Sequence, residues 1–141
     1  MHNQDLFQIT DIIFANQDGD IFYCPERTTK PIAYVAGPMR RKKFYNFTAF
    51  FEREALLKTQ GYEVINPARI DMEVDLVNPY EFPDDHDWTH EPAGMDLERI
   101  IRRDIDGVMV SNMLSLLEEW DISTGATAER ALATWRGIDV Q

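Results

Sequence analysis

A single cysteine, Cys24, stands in the 141 residues. One thiol closes no intrachain disulfide and builds no thiolate metal site, and it suits a reducing compartment, so a cytoplasmic protein is expected. Basic residues are scarce beside acidic ones, 14 Lys and Arg against 25 Asp and Glu, for a formal net charge of -11. That balance argues against a nucleic-acid polymer or an anionic membrane as the general partner, because both are held by clustered cations. A small anion needs only a local basic patch. No apolar run approaches the roughly 20 residues that span a bilayer, and Met1 to Asp5 lack the basic and apolar regions of a secretory leader. Internal repeats and low-complexity tracts are absent as well.

What is present reads as one α/β domain behind a short extension. Hydrophobic residues make up 44% of the chain and aromatic ones 11%, enough for a core in a domain of this length. Residues 1–30 form the extension: two apolar runs, Ile9 to Ala15 and Ile21 to Tyr23, flank Asp18-Gly19, which predicts a hairpin. Cys24 lies just after it, with no neighbouring base to activate the thiol. Residues 31–141 then alternate strand and helix. Pro31 to Ala36 is a short apolar strand broken by Gly37-Pro38, and the run Arg40 to Lys43 follows at once. In an open parallel sheet that first strand-to-helix loop is where ligands sit, so these cations are placed either for a phosphate or merely for solvent. Phe47, Phe50, Phe51, Ala55 and Leu57 predict a helix face closed at Gly61, and Tyr62 to Ile65 predicts the next strand, ending at Asn66-Pro67.

From residue 68 to 94 the pattern dissolves into an acidic loop that is expected to act as a lid, with Tyr80 and Trp88 placed to stack on a ring. Its Asp84 to His90 stretch carries carboxylates and imidazoles but no fixed metal-ligand spacing, so no metal is expected there. Met95, Leu97, Ile100, Ile101, Ile105 and Val108 predict a helix whose apolar stripe also takes in Asp104. A carboxylate on a core-facing stripe must be compensated, by Arg102, Arg103 or a backbone amide, or else it serves chemistry.

The most informative stretch is Asp121 to Glu129. Met113 to Leu117 reads as a buried strand before it, and Ala128, Ala131, Leu132 and Trp135 as the core face of a helix after it. Ser123 or Thr124 caps that helix, Gly125 admits close approach to the backbone, and the free N–H groups suit an anion. Glu129 follows about one turn later, roughly a sugar's width from such an anion. An ordinary capped helix with a solvated Glu has the same spacing. Ile138 to Val140 predicts a final parallel strand.

Tyr34-Val-Ala-Gly-Pro-Met-Arg40, the helical Asp104 and Ser123-x-Gly125-x-x-x-Glu129, in that order, resemble the nucleoside 2-deoxyribosyltransferase superfamily and its nucleotide N-glycosidase branch. The resemblance implies a Rossmann-like three-layer α/β fold with a short parallel sheet, in a homodimer or higher homo-oligomer. It implies that Glu129 attacks C1′ of a sugar, that Asp104 assists departure of the base and that Tyr34 lies in the site. Gly37, Met39 and Arg40 then match the first ligand loop, and Ser123 and Gly125 the phosphate turn. No cofactor is implied, since an N-glycosidic bond breaks through an oxocarbenium-like state that needs one carboxylate at C1′ and one proton for the base. The expected activity is hydrolysis of a (deoxy)nucleoside 5′-monophosphate. Exchange of bases between deoxyribosides and nucleotide binding without turnover are the alternatives.

Overall fold

Phe7–Gln8 (β1), Ile13–Ala15 (β2) and Ile21–Tyr23 (β3) pair antiparallel in the order β1-β2-β3. The expected hairpin is the β2–β3 pair, with one strand more than expected in front of it. Gly19, at φ 81°, makes its turn and donates its N–H to Asn16 O at 3.0 Å. The structure, a computed structural model, describes residues 5–141, so the first four residues of the extension lie outside the described residues.

Ile32–Ala36 (β4) is buried at every position, as a central strand covered on both faces must be. It leads into Phe47–Thr59 (α1) and returns through Glu63–Ile65 (β5), which pairs parallel with it. Gly61 follows α1 with φ 93°, as the predicted C-cap requires. Where a lid was expected from residue 68, Pro67–Glu73 instead forms a helix (α2). Asn66-Pro67 ends the strand and also starts this helix. The Asn66 side chain accepts from Ala68 N at 2.9 Å, and Pro67 fills the first helical position, where no N–H is needed.

Leu97–Met109 (α3) is capped by Asp96, Met113–Leu116 (β6) pairs parallel with β4, Thr124–Arg136 (α4) follows, and Asp139–Val140 (β7) pairs parallel with β6. The second sheet therefore has the order β5-β4-β6-β7. The chain moves to one side of β4 for β5 and to the other for β6, so β4/β6 is the switch point at which such sheets open a crevice.

Alternation along β4 sorts the layers. Ala33 and Val35 join Phe47, Phe50 and Leu57 under α1, while Ile32, Tyr34 and Ala36 join Val108, Ala126 and Ala133 under α3 and α4. Ile12 and Ile13 of the N-terminal sheet are buried in this second layer too. The domain is Rossmann-like and three-layered, as expected. The faces of its last two long helices differ from expectation. Leu97, Ile101 and Ile105 are exposed, while Arg103, Gly107 and Val108 are buried; on α4, Ala128, Ala131 and Trp135 face outward and Ala126 and Ala133 face in. The reason is steric: small residues let α4 lie close on the sheet, and a Trp would hold it off. No helix among the described residues is long and apolar enough to cross a membrane.

Candidate active site

Tyr34 projects from the middle of β4 toward α3 and α4, with no exposed surface. Its hydroxyl donates to Glu129 Oε2 at 2.5 Å. Asp104 of α3 lies near enough for its charge to act on both Tyr34 and Glu129. Two helices and one strand thus bring together the three residues to which the family resemblance gives catalytic roles.

Burial sets their protonation. Glu129 is pushed up to about 7 by removal from water, with the Tyr34 hydrogen bond pulling the other way. Asp104 is raised well above the usual carboxylate range, by burial first and then by the charge of Glu129. Tyr34 is raised as well, by burial and by both carboxylates, and so stays a donor. Both carboxyls therefore keep their protons to higher pH than free ones do, and Asp104, raised further by the charge of Glu129, is the second of the two to ionise. This order supplies an acid and a nucleophile or base from two similar side chains.

Arg103 acts on Asp104 only through its charge, which favours the ionised carboxyl but is outweighed by burial; its hydrogen bonds go elsewhere. Its Nη2 reaches Asp71 Oδ1 at 2.6 Å and Asp75 Oδ2 at 2.5 Å, and its Nε and Nη1 are buried without a partner. Asp71 is itself pushed up to about 7 by burial, against the pull of Arg103. This cluster anchors α3 to α2 behind the site.

At the head of α4, Ser123 is the cap, its Oγ accepting from Ala126 N at 3.1 Å. Thr124 and Gly125 belong to the first turn, whose N–H groups no helical carbonyl reaches. A Cβ on Gly125 would meet only Ser123 Oγ, at 3.9 Å, so the space in front of it is open. The positive end of α4 therefore faces that space with Glu129 one turn behind.

The first ligand loop is placed at the switch point but is engaged with protein. A Cβ on Gly37 would come within 2.7 Å of Leu117 Cβ, so this glycine serves the close passage of two chain segments. Met39 packs on the α1 layer; Arg40 is exposed and pairs with Glu91 at 3.4 Å, and Lys42 pairs with Glu119. A cavity of about 460 Å³ lies between this loop and the one after β6, bounded by Lys42, Asn46, Arg53, Leu117 and Glu119 and not by Tyr34 or Glu129. Arg53 lines it while holding Ser115 Oγ at 2.8 Å and Leu116 O at 2.9 Å.

The acidic segment closes over the loop through aromatic contacts. Tyr80 and Trp88 pack on Phe44, at 4.9 and 5.8 Å between ring centres; His86 lies 4.4 Å from Phe82 and accepts or donates at the Tyr45 hydroxyl, 3.0 Å away. Arg41 N donates to Trp88 O at 2.7 Å. Phe44, Tyr45 and Asn46 are all left-handed, with φ of 56, 51 and 62°. Three such residues in a row are strained, and the aromatic cluster holds them there.

Sequence reasoning missed Tyr23, Gly107 and the Arg103 cluster. Gly107 carried a usable signal, since a glycine inside a predicted helix marks a close approach. Nothing local in the sequence joins Arg103 to Asp71 and Asp75.

The fold and site together define a class: a Rossmann-like α/β protein with a carboxylate pair set against a buried tyrosine at the α3/α4 seam. Residues 31–141 match the model of the family described as a domain of unknown function, DUF4406, and the chain belongs to that family. No curated protein matches the chain.

Proposed function

We propose that the protein hydrolyses the N-glycosidic bond of a (deoxy)nucleoside 5′-monophosphate, as its resemblance to the nucleotide N-glycosidase branch of the nucleoside 2-deoxyribosyltransferase superfamily implies. The observation that carries the reading is the Tyr34–Glu129 hydrogen bond, with the Asp104 carboxyl close enough to be raised by the charge of Glu129 and so to keep its proton longer. The open α4 terminus at Gly125 supports a phosphorylated substrate, since a free nucleoside offers it no charge.

In this mechanism the phosphate rests at Ser123 and Gly125. A Glu129 oxygen attacks C1′, the C1′–N bond breaks, and its electron pair leaves with the base, which takes the Asp104 proton. Water then adds at C1′ as the ester to Glu129 breaks. Asp104 accepts the water proton, leaving (deoxy)ribose 5-phosphate and regenerated carboxyls. Tyr34 orients Glu129 throughout by donating to it. The chain acts as a cytoplasmic homodimer in this reading.

Base release from a panel of ribo- and deoxyribonucleoside monophosphates, measured by chromatography, tests the reading. Release is expected from the wild type and a loss of at least about 10³-fold in both Glu129→Ala and Glu129→Gln. Exchange seen only with an added free base would point to transfer instead. Binding without release from any monophosphate would leave a nucleotide-binding protein.

A further inference from the structure

The N-terminal sheet precedes the matched family region, yet β3 carries Tyr23 into the layer that holds the carboxylates. The Tyr23 hydroxyl donates to the main-chain carbonyl of Arg103 at 2.9 Å, in the middle of α3 and one residue before Asp104. A carbonyl inside a helix already accepts from the N–H one turn on, so this second bond pins the turn from outside. Gly107 lies one turn further along. A Cβ there would come within 2.8 Å of Tyr34 Cε2 and 3.0 Å of the Tyr23 hydroxyl, so the bare backbone is what admits both tyrosines. Glycine inside a helix costs about 1 kcal/mol relative to alanine, and the packing of the two rings gives this one its reason. On the other side the Arg103 guanidinium is gripped by Asp71 and Asp75.

We propose that Tyr23 is a positioning residue: its hydroxyl, supplied from outside the family domain, fixes the α3 turn at Arg103 and so holds the half-buried Asp104 carboxyl toward Tyr34 and Glu129. The effect on turnover rests on the N-glycosidase reading; the effect on Asp104 itself does not. The groups that face Asp104 are Glu129 from α4, Tyr34 from β4, Tyr23 from β3, Asp71 from α2 and Arg103 on its own helix. Tyr23→Phe removes only the pinning bond and keeps the ring. A turn freed to shift admits water, and a better hydrated Asp104 gives up its proton at lower pH.

Carbon-13 NMR of labelled Asp and Glu carboxyls in the full chain, with Asp104→Asn to assign the signal, follows that titration. The comparison uses wild type, Tyr23→Phe and Phe22→Ala; Phe22 is on the same strand with its side chain outward, so its truncation loosens the sheet without touching the pin. The Asp104 midpoint is expected about one pH unit lower in Tyr23→Phe and unchanged in Phe22→Ala. Base release in Tyr23→Phe should fall roughly tenfold in kcat with little change in KM, and the high-pH limb of its profile should move down with the Asp104 midpoint. A midpoint that stays in place in Tyr23→Phe, or moves equally in Phe22→Ala, overturns the proposal. A wild type that releases no base removes the N-glycosidase reading alone, and the NMR titration still decides the role of Tyr23.

Discussion

Tyr34 stands in the centre of a fully buried strand, where an apolar ring would pack as well and a hydroxyl must find a partner. Its partner is Glu129, and the bond favours the ionised form of that carboxylate. Tyr34→Phe should therefore raise the Glu129 pKa further, move the low-pH limb of a pH–rate profile toward alkaline pH and lower kcat by roughly 10²-fold. An unchanged limb would separate Tyr34 from the ionisation of Glu129. The same residues make a statement about stability. Glu129 and Asp104 hold their protons more tightly folded than unfolded, so the native state binds more protons above about pH 4, and stability falls as pH rises from there. For Glu129 the fall is complete above its folded value of about 7. Glu129→Gln should then stabilise the chain by roughly 2 kcal/mol at pH 8 and hardly at all at pH 4, as read from urea melts. Equal effects at both pH values would mean that the folded carboxyl titrates normally.

At the scale of elements, the N-terminus of α4 does two jobs that mutation can separate. Ser123→Ala removes the cap and should cost about 1 kcal/mol in thermal or urea unfolding. Gly125→Ala meets nothing within 3.9 Å and suits a helix better, so it should hold or raise stability. If a phosphate sits against that backbone, the same change should raise KM for a monophosphate several-fold; an unchanged KM would empty the site. This turn was legible in advance because strand, cap, glycine and carboxylate follow one another within a few residues. The orientation of α4 was not. Ala128, Ala131 and Trp135 share a spacing that fits a core face, and only the close approach of Ala126 and Ala133 to the sheet shows that the smaller face is the buried one. Pro67–Glu73 was hidden by a dipeptide that serves equally to stop a strand and to start a helix. Tyr23 and Arg103 lie beyond any local pattern: a hydrogen bond across 80 positions leaves no periodicity to read.

The whole molecule presents an apolar ridge to its surroundings. Leu97, Ile101, Ile105 and Met109, four residues apart along α3, are each 42–52% exposed, and Trp135 on the neighbouring α4 is 88% exposed. In the proposed homodimer a ridge of this spacing would interdigitate with a copy of itself across a two-fold axis. An antiparallel crossing would bring Arg102 of one copy toward the Asp106 end of the other, and the Trp alone adds about 200 Å² of apolar surface. Light scattering should accordingly find a dimer, and Ile101→Asp should turn it into a folded monomer. A wild-type monomer at high concentration would reject this second copy.

The left-handed residues Phe44, Tyr45 and Asn46 sit directly against the first turn of α1. Their conformation costs about 1 kcal/mol or more each, and contacts with Tyr80, Phe82, His86 and Trp88 offset it. Without those contacts the three residues would be expected to return to the right-handed region and continue α1 backward by about one turn. Release of the acidic segment and lengthening of a helix would then be one event, in which exposure of the basic loop is coupled to the winding of the backbone beneath it.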